Sequence, residues 1–258
     1  MKCIILAAGY ATRLYPLTKN FPKPLLKIGR KIILDWLVDD LSYNSDIDEF
    51  IIVTNHRFVK YFNQWRKQKS INITVIDDGT QTNESRLGAV NDIQLAADFI
   101  KSGKKAGKIM NYHDLNDNEG VFVIAGDNVL DFSLSEFVKF AQKKNVPCVM
   151  CYEENDLRRQ NKTAIITFDN DGLITSYEEK PVIPKGNYAV PPFYYYRMCD
   201  IERIQEALLD GCGYDTPGSF AAWLSGKTSM YAYAMPGMRY DIGDIESYRM
   251  VQEMLKQH

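Results

Sequence analysis

The stretch that decides the fold is IILAAGYATRLYPLTKNFPKPLL, residues 4–26. It begins with an apolar run, passes through Gly9, and then offers Arg13 and Lys23 without an acidic residue between them. A short apolar run that ends in small residues is typical of a buried strand turning into a loop. In open α/β proteins, such loops lie at the carboxyl edge of a parallel sheet, where ligands bind.

The composition of this loop is that of a phosphate-binding segment. The small residues Ala7, Ala8 and Gly9 let a ligand approach the backbone closely. Arg13 and Lys23 supply two cations that suit phosphate oxygens. The loop lacks the Gly-Lys-Ser/Thr of a P-loop and the three glycines of a dinucleotide-binding loop. From spacing alone, a phosphate-binding loop and a plain surface turn therefore both stay open.

Bulk properties exclude several classes of protein. The chain has 258 residues and a formal net charge of −2, so no global field favours nucleic acid or an acidic membrane surface. No apolar stretch approaches the roughly 20 residues of a membrane span, and the N-terminal apolar run is shorter than that of a signal peptide. The odd count of five cysteines is typical of reduced thiols. We expect a cytoplasmic monomer or small homo-oligomer with no nucleic-acid or membrane partner.

One pair of cysteines has metal-like spacing. Cys148 and Cys151 form a CxxC within VPCVMCYEE, a stretch that favours a strand. Side chains three residues apart on a strand point to opposite faces of the sheet. The pattern therefore favours two core cysteines over a zinc or redox site.

Apolar runs alternate with amphipathic stretches as far as about residue 160. Alternation of this kind is typical of crossover units, and it predicts an α/β fold with a mostly parallel sheet that helices cover on both faces. Beyond residue 160, Asn170-Asp171-Gly172 predicts a hairpin, NYAVPPFYYYR (187–197) a further strand, and residues 200–209 a helix. These segments form a small β-rich insertion. The pattern predicts strands over 2–9, 49–55, 71–78, 120–128 and 146–154, and helices over 33–43, 57–67, 85–100 and 134–144.

Several motifs in the same order resemble those of a known family, the sugar-phosphate nucleotidyltransferases typified by glucose-1-phosphate thymidylyl- and uridylyltransferases. The resemblance spans most of the chain, and it implies a Rossmann-like mixed, mostly parallel sheet sandwiched by helices. The motifs that carry it are LAAGYATRLYPLTKNFPKPLLKIG (6–29), VFVIAGDN (121–128), SYEEKP (176–181), NYAVPPFYYYR (187–197) and RYDIGDIESYRMVQE (239–253).

The resemblance implies a reaction and a set of site residues. A nucleoside triphosphate reacts with a sugar 1-phosphate to give a nucleotide sugar and pyrophosphate, with Mg²⁺ as cofactor. The resemblance further implies one domain over 1–258, with a nucleotide-binding core at 1–155 and a sugar-phosphate part with a closing helix at 156–258. By this resemblance the catalytic residues are Arg13, Lys23, Asp127 and Lys180; the nucleotide-binding residues Ala7, Ala8, Gly9, Thr12, Gln81 and Gly88; the substrate-binding residues Asn128, Thr163, Glu179, Lys180 and Pro192; and the metal ligands Asp127 and Asp241.

Simpler interpretations of these residues remain open. Asp127 is either a metal ligand or the cap of a turn, and Asp244 competes with Asp241 because it could instead cap the helix that follows. Only one of Glu178 and Glu179 faces the site easily, because neighbours on a strand point to opposite faces. Lys180 is either a phosphate ligand or an ordinary surface lysine.

The chain departs from the family pattern at three places. Ala11 stands where relatives usually have a second glycine, which would cost roughly 1 kcal/mol of strain if the position needs a positive φ. Thr163 and Pro191-Pro192 replace residues on the acceptor side, so the identity of the sugar is open. The residue that selects the base is also open, among Gln81, Thr82 and Asn83.

Other functions compete with this interpretation. One is a cytidylyltransferase for a non-sugar acceptor such as phosphocholine, and another is a non-catalytic sensor of nucleotide or sugar phosphate. A nicotinamide dehydrogenase is disfavoured, because the three-glycine fingerprint is missing. The three histidines, His56, His113 and His258, are too dispersed to indicate a transition-metal site.

Overall fold

The structure is a computed structural model that describes residues 1–43, 46–105, 108–109 and 119–255, with only the backbone described between 104 and 109. Most of the polar stretch 101–119, which the sequence indicates to be loop-like, lies outside the described residues, as do His113 and His258. No described helix has the length and apolar character needed to cross a membrane.

The described chain alternates strands and helices along most of its length. The strands are β1 (Lys2–Leu6), β2 (Lys27–Ile28), β3 (Lys31–Ile32), β4 (Glu49–Thr54), β5 (Ile73–Asp77), β6 (Lys104–Lys105), β7 (Lys108–Ile109), β8 (Gly120–Ala125), β9 (Asn128–Leu130), β10 (Cys148–Glu153), β11 (Ala164–Phe168), β12 (Ile174–Glu179), β13 (Tyr188–Val190), β14 (Phe193–Arg197), β15 (Tyr231–Ala234) and β16 (Arg239–Asp241). The helices are α1 (Ile33–Ser42), α2 (Val59–Arg66), α3 (Ala89–Lys101), α4 (Ser135–Lys144), α5 (Leu157–Gln160), α6 (Met198–Ile201), α7 (Ile204–Leu209), α8 (Pro217–Ser225) and α9 (Ile245–Met254). Short 3-10 helices cover Thr12–Leu14, Lys23–Leu25 and Asn83–Ser85.

The chain divides into two compact units. The first unit comprises residues 2–86, 125–135 and 236–258, and the second unit comprises Met1 with residues 87–124 and 136–235. Both units are discontinuous in sequence. The division of one domain at residue 155 stays a prediction.

The first unit contains three parallel strands. β1 pairs with β4 and β4 with β5, both in parallel register. All six residues of β4 are buried, as expected for a strand that is covered on both faces. Helix α1 presents Ile33, Leu37 and Leu41 as one apolar stripe, because residues three or four apart share a helix face.

Short elements from the end of the chain complete the first unit. Strands β9 and β16 form an antiparallel pair. A buried cluster joins this pair to α9 and to the segment after β1: Leu14, Ile28, Ile33, Val129, Ile242 and Val251. This packing fixes the predicted metal-binding segments to the loop after β1.

The second unit holds a sheet of mixed direction. β10 pairs in parallel with β15 and antiparallel with β13 and β14, while β11 pairs antiparallel with β12 and β13. The predicted α/β class with a mixed sheet is confirmed. The parallel arrangement holds among β1, β4 and β5, whereas antiparallel pairs dominate the second unit, because its hairpin strands are inserted beside β10.

Two predicted elements of the second unit are broken. The stretch 187–197 forms two strands, β13 and β14, because Pro191 and Pro192 have no N–H to donate to a sheet. The predicted helix over 200–209 is two short helices, α6 and α7. The hairpin at Asn170-Asp171-Gly172 is confirmed as the connection between β11 and β12.

Candidate active site

The loop after β1 leaves an open approach to its backbone. Ala7 and Ala8 are buried, and the Asn55 side-chain amide donates to the Ala8 carbonyl at 2.9 Å. Gly9 is exposed, and an added Cβ there would meet no atom within 4 Å. A ligand can therefore approach the backbone at Gly9, as the sequence predicts.

Ala11 occupies the left-handed region that the sequence raises as a possibility. Its φ is 46° and its ψ is 47°. The Thr18 hydroxyl donates to the Ala11 carbonyl at 2.7 Å, and the Leu14 N–H donates to the same oxygen at 3.0 Å. These bonds hold the strained conformation and start the 3-10 helix Thr12–Leu14, on which Thr12 and Arg13 are exposed.

Lys23 and Asp127 meet in the first unit. Lys23 Nζ lies 2.8 Å from Asp127 Oδ2, and only 9% of the lysine side chain is exposed. Asp127 follows β8 directly, where the Gly126 N–H donates to the Leu6 carbonyl of β1 at 3.0 Å. A Cβ at Gly126 would lie 2.9 Å from Ile5 Cγ2, so glycine permits this close approach.

The charge state of Asp127 is set by its neighbours. Burial alone would raise the pKa of Asp127, but the charge and hydrogen bond of Lys23 and the charge of Arg239 together hold that pKa below its ordinary value. The carboxylate is therefore ionised near neutral pH, which is the form that a hard cation binds.

Asn128 braces the Asp127 carboxylate. Its amide donates to the Ala125 carbonyl at 3.1 Å and to Asp127 Oδ1 at 3.2 Å, and its oxygen accepts from Arg239 at 2.7 Å. Asn128 is fully buried, so all these contacts are internal. Its predicted contact with substrate stays a prediction.

Asp241 lies beside this group through strand pairing. β16 places Asp241 opposite Asn128, the residue after Asp127. Its side chain is 60% exposed and lies 3.8 Å from Arg239. Asp244 is engaged elsewhere, because its carboxylate accepts from the Ser247 N–H at 2.8 Å and caps α9. Of the two competing aspartates, Asp241 is thus the one whose carboxylate is available to a ligand.

Sequence reasoning missed one residue of this group, Arg239, and one residue of the loop after β1, Tyr10. Arg239 contacts both Asn128 and Asp241. Its position two residues before Asp241 on a strand was a usable signal, because such residues share a face. Tyr10 is also buried beside Gly9, and its hydroxyl lies 3.3 Å from Thr80 Oγ1, which in turn bonds to Asp78 at 2.8 Å.

The three candidates for the base-selecting residue differ in the hydrogen bonding and exposure of their side chains. Thr82 accepts from the Ser85 N–H and forms a capping box with it. Gln81 is exposed and Asn83 is half-buried. The structure leaves Gln81 and Asn83 more available than Thr82.

The predicted acceptor residues meet at one end of the sheet in the second unit. Ala164 on β11 lies opposite both Glu179 on β12 and Val190 on β13. One step further along, the Lys180 N–H donates to the Thr163 carbonyl at 3.1 Å, and Thr163 Oγ1 donates to the Val190 carbonyl at 3.4 Å. The half-buried Pro192 follows β13 at this same end.

Glu178 and Glu179 face in opposite directions. Glu178 pairs with Lys185 at 3.0 Å, whereas Glu179 is only 19% exposed and accepts from the Thr216 hydroxyl at 3.1 Å. Lys180 has a φ of 48°, which breaks the alternation of the strand and brings its Nζ within 4.0 Å of Glu179. Glu179 and Lys180 thus share a face although they are sequence neighbours.

Gly88 starts α3 in a backbone conformation that requires glycine. Its φ is 89° and its ψ is 151°. A Cβ there would lie 2.5 Å from the Tyr214 carbonyl oxygen. Close packing within the second unit therefore explains this glycine, and its contact with nucleotide stays a prediction.

The CxxC cysteines belong to the core. Cys148 and Cys151 are free thiols and fully buried. Burial raises the pKa of both to about 12. Their prediction as core residues is confirmed.

Comparison with known proteins identifies the family. The nucleotidyl transferase family model matches residues 2–258. The chain is 26% identical to a glucose-1-phosphate adenylyltransferase of Clostridium novyi (strain NT) and 24% identical to a UTP–glucose-1-phosphate uridylyltransferase of Synechocystis sp. (strain PCC 6803), in each case over 96% of this chain. It spans 64% and 61% of the length of these two proteins.

Solved structures of similar fold are also found. A solved structure of apo UDP-glucose pyrophosphorylase matches with a TM-score of 0.79 at 20% identity, over 99% of this chain and 98% of that one. Since the family model matches nearly every residue, from the first residue of β1 to residue 258, the protein belongs to the nucleotidyl transferase family.

Proposed function

We propose that this protein transfers a nucleotidyl group from a nucleoside triphosphate to a sugar 1-phosphate and releases pyrophosphate, with Mg²⁺ as cofactor. The observation that carries the proposal is the ion pair of the buried Lys23 with the half-buried Asp127, at 2.8 Å, beside the strand that bears Asp241. A cation and two carboxylates close together match what a metal-bound triphosphate needs.

The reaction requires charge neutralisation and positioning more than it requires a base. The attacking group is a phosphate monoester, which is mostly dianionic near neutral pH because its second pKa is about 6. Its oxygen attacks the α-phosphorus while the bond to the bridging oxygen of the β-phosphate breaks and pyrophosphate leaves. Arg13 and Lys23 would offset the negative charge on the triphosphate.

The residues of the first unit fit magnesium. Mg²⁺ is bound through one or two carboxylates together with substrate phosphates, and Asp127 and Asp241 supply two carboxylates. Among the described residues, no cluster of three or more His, Cys, Asp and Glu side chains offers a metal site made by protein ligands alone. When bound, the ion would stabilise charge on the phosphates. Lys23 holds Asp127 in place and ionised until then.

The acceptor would bind in the second unit. Glu179 offers a carboxylate to sugar hydroxyls, and Lys180 offers an ammonium group to the sugar phosphate. Both lie at the end of the sheet that also bears Thr163, where the chain departs from the family pattern.

A substrate screen tests the proposal. The folded protein is incubated with Mg²⁺, each of ATP, CTP, GTP, UTP and dTTP, and either one of a panel of hexose 1-phosphates or phosphocholine, and pyrophosphate release is followed. We expect release with at least one pair of a nucleotide and a hexose 1-phosphate. Turnover of CTP with phosphocholine alone would instead establish the cytidylyltransferase alternative, and binding without release would establish a sensor.

Substitution of Asp127, one of the two proposed metal ligands, gives a second test. Asp127→Asn should lower kcat at least a hundredfold, because it removes the negative charge that binds Mg²⁺. Asp244→Asn is the matched control, since asparagine also caps helices well, and it should stay within about twofold of wild type. Equal activity in Asp127→Asn and wild type would remove the metal assignment.

A further inference from the structure

The side chain of Glu179 is held by a helix that sequence analysis did not anticipate. Helix α8 packs against β12 in the second unit. Thr216, at its N-terminal boundary, donates its hydroxyl to Glu179 Oε1 at 3.1 Å. The carboxylate is mostly buried, so this contact is shielded from water.

Thr216 occupies a capping position without capping the helix. A threonine at the N-cap ordinarily accepts a hydrogen bond from a backbone N–H in the first turn. Here the Thr216 side chain makes no such bond. Its hydroxyl turns to Glu179 instead, so the interaction that would stabilise the helix is given up for one that orients the glutamate.

The hydroxyl groups form a chain with a defined direction. Thr216 Oγ1 lies 2.9 Å from Ser219 Oγ, and either atom is able to donate. Because a hydroxyl has one proton, and Thr216 gives its proton to Glu179, Ser219 donates to Thr216. Donation to Thr216 strengthens the bond that Thr216 makes to Glu179.

Gly218 closes the other side of the carboxylate. A Cβ at Gly218 would overlap Glu179 Oε2 and lie 3.6 Å from the Tyr194 hydroxyl. Alanine is ordinarily better than glycine inside a helix. The first turn of α8 therefore lies against both oxygens of Glu179. Thr216 donates a hydrogen bond to Oε1, and Oε2 occupies the space that a side chain at residue 218 would fill.

We propose that Thr216 is a positioning residue for Glu179, and that the first turn of α8 (Thr216–Ser219) determines which sugar hydroxyls the acceptor pocket accepts. This inference rests on the proposed function. A carboxylate held in one orientation discriminates strongly against an acceptor that lacks the hydroxyl it bonds, because its oxygen is then left unpaired. A freely rotating carboxylate discriminates less.

The test compares Thr216→Val with Thr216→Ser in steady-state kinetics on the best substrate pair. Valine keeps the shape and removes the hydroxyl, and the KM for the sugar 1-phosphate should rise tenfold to a hundredfold, the range for a hydrogen bond to a charged group. The KM for the nucleoside triphosphate should stay within twofold. Thr216→Ser should restore the acceptor KM to within about threefold of wild type.

A matched control separates positioning from a general structural effect. Thr167 on β11 also bonds to another hydroxyl, that of Thr175 at 2.8 Å, at an exposed place in the same sheet. Thr167→Val should leave both KM values unchanged. Gly218→Ala should raise the acceptor KM even though it adds a better helix former.

The discrimination against deoxy sugars gives a further readout. In wild type, deoxy analogues of the acceptor should react much more slowly than the parent sugar 1-phosphate. In Thr216→Val the ratio of kcat/KM for the parent sugar 1-phosphate to kcat/KM for the deoxy analogue should fall at least fivefold. A mainly structural role for Thr216 would lower activity on both acceptors alike.

The outcomes distinguish the two proposals. If folded wild-type protein releases pyrophosphate with no pair of substrates, the proposed function fails and the inference fails with it. If wild type is active but Thr216→Val changes both KM values equally, or changes neither, the positioning role alone is overturned.

Discussion

Three glycines offer a measurement that separates backbone strain from steric overlap. Gly9 has an ordinary φ and open space around its Cβ position, Gly211 has a φ of 86° with open space, and Gly88 has a φ of 89° with neighbours in the way. Substitution by alanine therefore adds no backbone strain at Gly9, backbone strain alone at Gly211, and backbone strain together with steric overlap at Gly88. The three variants introduce the same methyl group.

The expected magnitudes follow from these environments. Gly9→Ala should change the free energy of unfolding by less than about 0.5 kcal/mol, as for an open surface site. Gly211→Ala should lower it by about 1–2 kcal/mol, the cost of a left-handed alanine. Gly88→Ala adds overpacking of about 1–3 kcal/mol to about 1–3 kcal/mol of strain, so the total is about 2–6 kcal/mol.

The overlap at Gly88 is not relieved by a side-chain rotation. The nearest atom is the backbone oxygen of Tyr214, which accepts a hydrogen bond from the Val90 N–H at 3.0 Å. Moving that oxygen would weaken the first turn of α3. The strained helix start therefore has to shift as a whole, and this places the expected cost in the upper half of the range.

Thermal unfolding of the purified variants tests the series. With about 2–4 °C per kcal/mol in a chain of this size, Tm should fall by about 2–8 °C in Gly211→Ala and by more than about 8 °C in Gly88→Ala, and stay constant in Gly9→Ala. Equal melting of Gly88→Ala and Gly211→Ala would show that the close approach of Tyr214 adds nothing. A large loss in Gly9→Ala would contradict the assignment of open space. In activity assays, Gly9→Ala should still raise the KM for nucleotide if the loop is the nucleotide site.

Two further predictions concern the site residues themselves. Ala11→Gly should leave the free energy of unfolding within about 0.5 kcal/mol of wild type, because relief of left-handed strain is offset by lost methyl packing and by the extra freedom of glycine in the unfolded chain. Ala11→Val should lower the free energy of unfolding by about 1–2 kcal/mol. Similar melting of the two variants would contradict a left-handed Ala11. Burial raises the pKa of Glu179 against the hydrogen bond of Thr216 and the charge of Lys180, so the folded protein binds this proton more tightly than the unfolded chain and loses stability as pH rises through the folded-state pKa. Glu179→Gln should therefore raise Tm at pH 7–8 and give no gain at pH 4, while the acceptor KM rises. A variant that melts lower than wild type at pH 8 would refute the cost of this buried charge.

Much of the first unit was predictable because its signals are local. Buried strands such as β1 and β4 are continuous apolar runs, and α1 has a clear apolar stripe. The capping role of Asp244 was open from the sequence as an alternative, and its bond to Ser247 confirms it. Local patterns of this kind need only a few neighbouring residues to be read correctly.

The elements that sequence analysis missed depend on distant partners or on ambiguous residues. β9 and β16 have three residues each and pair across more than 100 positions, so neither carries a signal of its own. Helix α8 begins Pro-Gly-Ser, which resembles a turn, although proline is common at the first position of a helix. The contact of Thr216 with Glu179 follows from this unpredicted helix, and it was therefore not predictable either.

Backbone strain points to the same segments as the chemistry. Among the described residues, three other than glycine have a positive φ: Ala11, Asn145 and Lys180. Asn145 follows α4, where a left-handed asparagine commonly ends a helix, so its conformation has a structural reason. Alanine and lysine have no such preference, and each costs about 1–3 kcal/mol in this conformation. Ala11 shapes the loop that precedes Arg13, and Lys180 is turned towards Glu179. Strain that no local preference explains thus falls in the segments to which the proposed function assigns the triphosphate and the sugar phosphate.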